Sequence, residues 1–219
     1  MGTFEILFSI LISISIGAIA LYFFNKQRKA LYENALSPNV KKNESAKPTI
    51  KDLVFASDME REKHLLEISK IHETNTIVWF ERDEKHLSQF LEKNKIHSSV
   101  KVIMHSAPEI GAINPDIPVV LWGRHPLASV EDKALAAMPS VSVLVGMTSL
   151  DDALIQHFGG DKIKSLMGKL GHKQGEIIEH SMISASIRNA QEDLDKKIEN
   201  PISANSASDW FVLNANKIR

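Results

Sequence analysis

The chain has 219 residues, of which 43% are hydrophobic, enough for one modest globular domain with accessory segments. Its 26 basic and 27 acidic residues leave a formal net charge of −1, so the molecule as a whole has no nucleic-acid signature. Cysteine is absent, and with it disulfide frameworks, thiol nucleophiles and thiolate metal sites; a reducing compartment fits that usage.

Phe4 to Phe24 is an apolar run whose single charge is Glu5, long enough to cross a bilayer core as a helix of about 20 residues. Tyr22, Phe23 and Phe24 gather at its far end, where aromatic rings favour the interface, and Lys26, Arg28 and Lys29 follow while no Lys or Arg precedes. The expectation is one uncleaved transmembrane anchor over residues 1–25 in a bacterial cytoplasmic membrane, N-terminus out and soluble bulk in the cytoplasm. A cleaved signal peptide would need a basic start and a shorter apolar core. Residues 26–51, with Pro38, Pro48, Lys41, Lys42, Lys47 and Lys51, are expected to form a basic flexible linker.

Residues 52–160 alternate helical and strand patterns. Ser57-Asp58-Met59-Glu60 has capping-box spacing, with Leu65, Ile68 and Ile71 on one helical face behind it. Thr76–Phe80 is an apolar, β-rich run of the kind found in a strand buried on both faces. A helix over Glu84–Lys95, a strand over Val100–Met104 and a loop through Pro108, Gly111 and Pro115 follow. A strand over Val119–Trp122, a helix capped by Ser129, a strand over Val141–Val145 and a helix capped by Ser149 complete the series. Such alternation predicts an α/β domain with a mostly parallel sheet and any cleft at the carboxyl ends of its strands.

Residues 161–200 read as a helical junction. Ile163, Leu166, Met167 and Leu170 share a face up to Gly171, and a helix from Ser181 carries the stripe Ile187, Ala190, Leu194 and Ile198. Residues 201–219 are expected to be a mobile tail, apart from Trp210-Phe211-Val212-Leu213, which either docks on a partner or folds back.

No catalytic constellation stands out. There is no GxxxxGK[ST] loop and no GxGxxG turn after a strand. Gly159-Gly160-Asp161-Lys162 joins two helices and lacks the strand–loop–helix context that aims amides at phosphate. The nine histidines show no HxxxH or HExxH spacing, and Ser106 and Ser149 lack nucleophile-elbow glycines. No cofactor or metal is expected.

One stretch carries more. Gly168-Lys169-Leu170-Gly171, Gly175-Glu176, Ile178-Glu179-His180, Ile187 and Ala190-Gln191 resemble the junction between the second nucleotide-binding domain and the helical scaffold of SecA, the motor ATPase of bacterial protein export. Ser149-Leu150-Asp151-Asp152-Ala153-Leu154, Phe158-Gly159 and Asp161-Lys162-Ile163 are similar to the segment that precedes it. Thr76–Phe80, Glu84-Lys85, Leu87 and Leu91–Ile96 match more weakly. The resemblance implies a small RecA-like domain of the helicase motor-domain-2 kind.

Departures from the family are as informative. The phosphate loop, the Walker B acids and the arginine-rich element have no counterpart, and Trp122-Gly123-Arg124-His125-Pro126 stands where the family has Gly-Arg-Gly-Thr-Asp. Phosphoryl transfer rests on such positioned charges, so no ATPase activity is expected. The resemblance, which leaves the membrane segment outside it, together with the expected anchor implies a non-catalytic, membrane-anchored module that binds the SecA motor, the Sec channel or a preprotein. Its partner-binding candidates are Gly171, Gly175, Glu176, Glu179, His180, Arg188 and Gln191. The alternatives are a tethered interaction domain unrelated to export, or a residual nucleotide sensor lined by Glu81, Arg82, Ser106 and Arg124.

Overall fold

The computed structural model describes residues 50–141, 144–160, 177–179 and 181–218, all within the second of two units, Val40–Arg219. The expected anchor, most of the linker, the helix after Asp161, and Gly171, Gly175, Glu176 and His180 lie outside the described residues. Among the described residues no helix is long and apolar enough to cross a membrane.

The described chain runs β1 (Lys51–Phe55), α1 (Asp58–Ser69), β2 (Thr74–Val78), α2 (Glu81–Lys93), β3 (Val100–Met104), a 3₁₀ turn (Pro108–Ala112), β4 (Val119–Trp122), α3 (Ala128–Ala137), β5 (Leu144–Ser149), α4 (Ala153–His157), β6 (Ile178–Glu179), α5 (Ser181–Lys197) and α6 (Ala207–Ile218). The six strands lie in the order β3-β2-β4-β5-β1-β6. All neighbours are parallel except the short β6, which runs antiparallel to β1 with Leu53 opposite Glu179. The expected mostly parallel α/β domain with C-terminal helices is what forms.

Side chains alternate across the pleat, so each buried strand feeds two cores. Val54, Ile77, Val119, Leu121 and Leu144 share one core with Ala134 of α3, Ile187 and Leu194 of α5 and Trp210 of α6. On the opposite face α1 lies over β1 and β4: His64 packs against Phe55 with ring centroids 4.7 Å apart, and the Arg61 guanidinium sits 4.2 Å above the Trp122 ring. α2 buries Leu87 and Leu91 against β2 and β3. Fully burying each aliphatic side chain of this size stabilises the fold by about 1.5–3 kcal/mol.

Several boundaries move from their expected places, each for a local reason. β1 replaces the end of the supposed linker. β2 stops at Val78 because Trp79 turns its indole Nε1 to donate to the Gly123 carbonyl at 3.1 Å, and the Phe80 carbonyl accepts the first amides of α2. That helix therefore starts at Glu81, where Glu81, Asp83 and Glu84 offset the partial positive charge of its N-terminus. Ser57 does cap α1, accepting from the Glu60 amide at 3.3 Å. Ser129 does not cap α3; its amide and hydroxyl donate to Asp195 of α5 at 2.8 and 2.6 Å. Ser149 is the last residue of β5, and Asp152 stands at the N-cap of α4.

The supposed mobile tail is largely α6. Ser206 and Asp209 exchange hydrogen bonds at its start, Asn214 is fully buried and bonds both the amide and the carbonyl of Ile202, and Trp210 is only 2% exposed. The fold-back alternative is the one realised, because an indole buried in the core outweighs a polar Ser/Asn-rich flank.

Candidate functional site

In an open parallel sheet, ligands bind beyond the carboxyl ends of the strands where the winding reverses. Here the chain leaves β2 outward to β3 and returns to β4, so the reversal lies between β2 and β4. The loop after β4 carries Gly123-Arg124-His125, with Gly123 at φ +72°, a backbone conformation that side chains other than glycine's rarely adopt. That turn points Arg124 back under the sheet, away from solvent.

Arg124 is the centre of a buried polar network. Its Nη1 donates to both carboxylate oxygens of Asp52 at 2.8 Å, and Nε and Nη2 donate to Glu131 at 2.7–3.1 Å. Nη2 also reaches the Gln191 side-chain oxygen at 3.3 Å, and the Gln191 amide donates to the His125 carbonyl at 2.6 Å. The His125 amide closes the circuit on Glu131 at 2.8 Å. Asp52, Arg124, Glu131 and Gln191 have exposures of 1, 6, 0 and 0%. Burial alone would lower the arginine's pKa, yet Glu131 and Asp52 overcome it and hold the guanidinium above its ordinary value. Four elements are joined here: β1, the β4–α3 loop, α3 and α5.

Above the network the crevice is full. His125 stacks on Phe80 with centroids 5.5 Å apart and planes 15° apart, and Trp79, His105 and Trp210 surround it at 5.9, 6.1 and 6.3 Å. His125 Nδ1 lies 3.0 Å from the Leu127 amide and 3.3 Å from the Leu127 carbonyl, which fixes the orientation of the ring. Burial pushes the His125 pKa down to about 3, so the ring is neutral at physiological pH.

Over β1 and β5 the space is taken by Arg61, which pairs with Asp152 at 2.8 Å and Asp58 at 2.8 Å and donates to the Met147 carbonyl. Among the described residues no group of three His, Asp or Glu side chains is arranged to hold a metal ion.

Asp83 faces this acidic end of the sheet. Burial, with Asp152 and Asp58 adding to it and Arg61 opposing, raises its pKa from 3.8 to about 6. The folded protein therefore holds the Asp83 proton more tightly than the unfolded chain does. The stability this contributes is complete below pH about 3.8 and is lost as pH rises through about 6. Asp83→Asn removes that dependence, so the melting temperature of the variant relative to the parent should rise between pH 4 and pH 7. Thermal unfolding across that range checks it, and a gap that stays flat or narrows contradicts the assignment.

Three of the partner-binding candidates fall on described residues, and all three are engaged within the chain. Glu179 of β6 pairs with Lys51 of β1 at 2.8 Å. Arg188 grips Asp132 of α3 through two hydrogen bonds of 2.9 and 2.8 Å and Glu192 through a third of 2.8 Å. Gln191, a partner-binding candidate in the sequence, is fully buried and spends its side chain on Arg124 and the His125 carbonyl. The sensor lining does not assemble either, since Arg124 is committed inside while Arg82 is 69% exposed at the side chain and Ser106 faces solvent. Asp52 and Glu131, the buried partners of Arg124, are not among the sequence candidates; the one signal for them is Asp52, an acid at the head of an apolar run.

A segment of this chain is homologous to part of SecA. It is 47% identical over 49 residues to protein translocase subunit SecA of Chlorobium phaeobacteroides (strain BS1), covering 22% of this chain and 5% of that protein. For Chlorobium phaeovibrioides the figures are 45% over 53 residues, 24% and 5%, and for Chloroherpeton thalassium 44% over 59 residues, 27% and 6%. The chain thus matches about a twentieth of the length of these curated relatives. No family model matches it. Within the run that resembles the SecA junction, Ile187 and Gln191 are buried residues that dock α5 on the sheet.

Proposed function

We propose that this chain is a membrane-anchored, non-hydrolysing relative of the second motor domain of SecA, acting in or beside Sec-dependent protein translocation by binding the motor, the channel or a preprotein. The observation that carries the non-catalytic part is the commitment of Arg124. It occupies the segment that stands in place of the family's Gly-Arg-Gly-Thr-Asp, yet its donors go to Asp52, Glu131 and Gln191. A guanidinium so engaged has no edge left to present to a phosphate. The rings of Trp79, Phe80, His125 and Trp210 fill the crevice beside it.

The export part rests on the segment homologous to SecA, and the membrane part on the run Phe4–Phe24 with its following bases. In this reading the domain faces the cytoplasm at the bacterial inner membrane. A second reading, an interaction domain serving an assembly outside export, draws on the internal use of Glu179, Arg188 and Gln191: the junction residues hold this fold together whatever it binds.

Capture of the tagged full chain from detergent-solubilised membranes, with quantitative mass spectrometry, separates the two. Enrichment of SecA or Sec channel subunits at least tenfold over an unrelated single-pass bait is expected. Reproducible partners without any Sec component would favour the second reading.

A further inference from the structure

The strand-end crevice is closed by α6, a 12-residue helix in which Trp210 and Asn214 are buried, while Ala207, Phe211 and Ile218 pack partly buried against the core and Phe211 stacks on His157 at 4.6 Å. A helix of that length is marginal on its own in water, so it depends on what it docks against. Its anchor is Trp210, inserted beside His125 and edge-on to Phe211, and one turn later Asn214 bonds Ile202 and the Trp210 carbonyl.

The connection from α5 is exposed at Glu199, Asn200, Pro201, Ile202, Ser203 and Asn205, and the Arg82 amide holds it through the Asn205 carbonyl at 3.0 Å. The outer face of α6 carries two exposed apolar residues, Val212 at 75% and Leu213 at 49%, among polar ones. The sheet beneath has its own tie: Trp79 bonds Gly123, and the Arg124 network holds the β4–α3 loop to α5 without any α6 residue.

The geometry points to α6 as a detachable intramolecular ligand: it releases the crevice without unfolding the sheet, and the uncovered site accepts a helix presenting an indole with an amide one turn later. Helix-in-groove recognition works by such anchors at i and i+4. The chemistry of the site follows from its lining, with Phe80, Trp79 and neutral His125 for the ring. This inference is independent of the export reading, because it concerns what closes the crevice and not which assembly supplies the competing helix.

The test uses the full chain in detergent. Amides of α6 are expected to exchange with deuterium at least tenfold faster than those of β2 and β4. A fluorescent peptide spanning Ser206–Ile218 should bind the Trp210→Ala chain at least tenfold more tightly than the unmodified chain, and a peptide whose own indole is replaced by alanine should not bind. Asn214→Ala in the chain provides a milder release with the same ranking. Exchange of α6 in step with the sheet overturns the proposal. So does Trp210→Ala stripping protection from β2 and β4 together with α6, or equal peptide binding to both chains.

Discussion

Arg124→Met is expected to destabilise the domain by about 3–5 kcal/mol, the range for breaking a buried charge pair and leaving its partners uncompensated. Two carboxylates lose their cation at once, since Asp52 and Glu131 are 1 and 0% exposed and Arg124 is the basic side chain bonded to both. Against an ordinary domain stability of about 5–15 kcal/mol, such a loss shows directly as a lower urea midpoint. Replacing the network as a unit, with Asp52→Leu and Glu131→Leu added to Arg124→Met, should recover more than half of it, because apolar groups of similar size need no counter-charge. An unchanged midpoint for Arg124→Met would show that the guanidinium does not hold these elements together.

Gly146→Ala is the second large effect. Gly146 of β5 lies opposite Asp52 of β1, and a Cβ there would sit 2.3 Å from the Asp52 carboxylate oxygen. A free carboxylate would swing away, but this one is held by Arg124 through two contacts of 2.8 Å. The added methyl must therefore push the strands apart or break the pair, at the upper end of the roughly 1–3 kcal/mol typical of overpacking. In an Asp52→Ala background the same substitution is expected to cost less than about 1 kcal/mol, the span of ordinary strand preferences. Equal costs in the two backgrounds, read from urea unfolding, would mean that the carboxylate is not what the glycine accommodates.

The same network explains which parts of the fold were legible. β4 is an uninterrupted apolar run and β3 is apolar apart from the exposed Lys101, both flanked by turn residues, and Val100–Met104 and Val119–Trp122 appear where the sequence pattern places them. β1 and β5 do not read as cleanly, because each gives up an apolar position to the network. Lys51-Asp52 at the head of β1 looks like the end of a basic linker, although Asp52 is a core residue. β5 extends through Gly146, Thr148 and Ser149, so the more β-like Val141–Val145 draws the expectation upstream. A buried charge and the glycine that makes room for it suppress the hydrophobic pattern on which strand recognition depends.

The candidate residues show a similar limit. The resemblance to SecA includes Gln191, Arg188 stands beside it among the partner-binding candidates, and both join α5 to the rest of the domain. Sequence order alone does not say whether a polar residue on a helix faces a partner or its own chain, since that depends on which loop arrives opposite it. Here the arriving loop is Gly123-Arg124-His125, separated from Gln191 by more than sixty positions. Trp210 is the converse case: its apolar cluster is conspicuous in the sequence, but its place beside His125, itself stacked on Phe80, depends on residues far away in the chain.

Arg124 serves the fold, its guanidinium bound to Asp52, Glu131 and Gln191, and the proposal of a non-hydrolysing chain rests on that commitment. Thermal unfolding of the full chain in detergent, with ATP, ADP or GTP raised to millimolar concentration with and without magnesium, tests this most directly. A nucleotide at a hundred times its dissociation constant would stabilise the folded state by about 2.7 kcal/mol, a shift of several degrees. No saturable change in melting temperature is expected for any of them. A saturable rise that Arg124→Met abolishes would contradict the account and return the chain to the nucleotide-binding proteins.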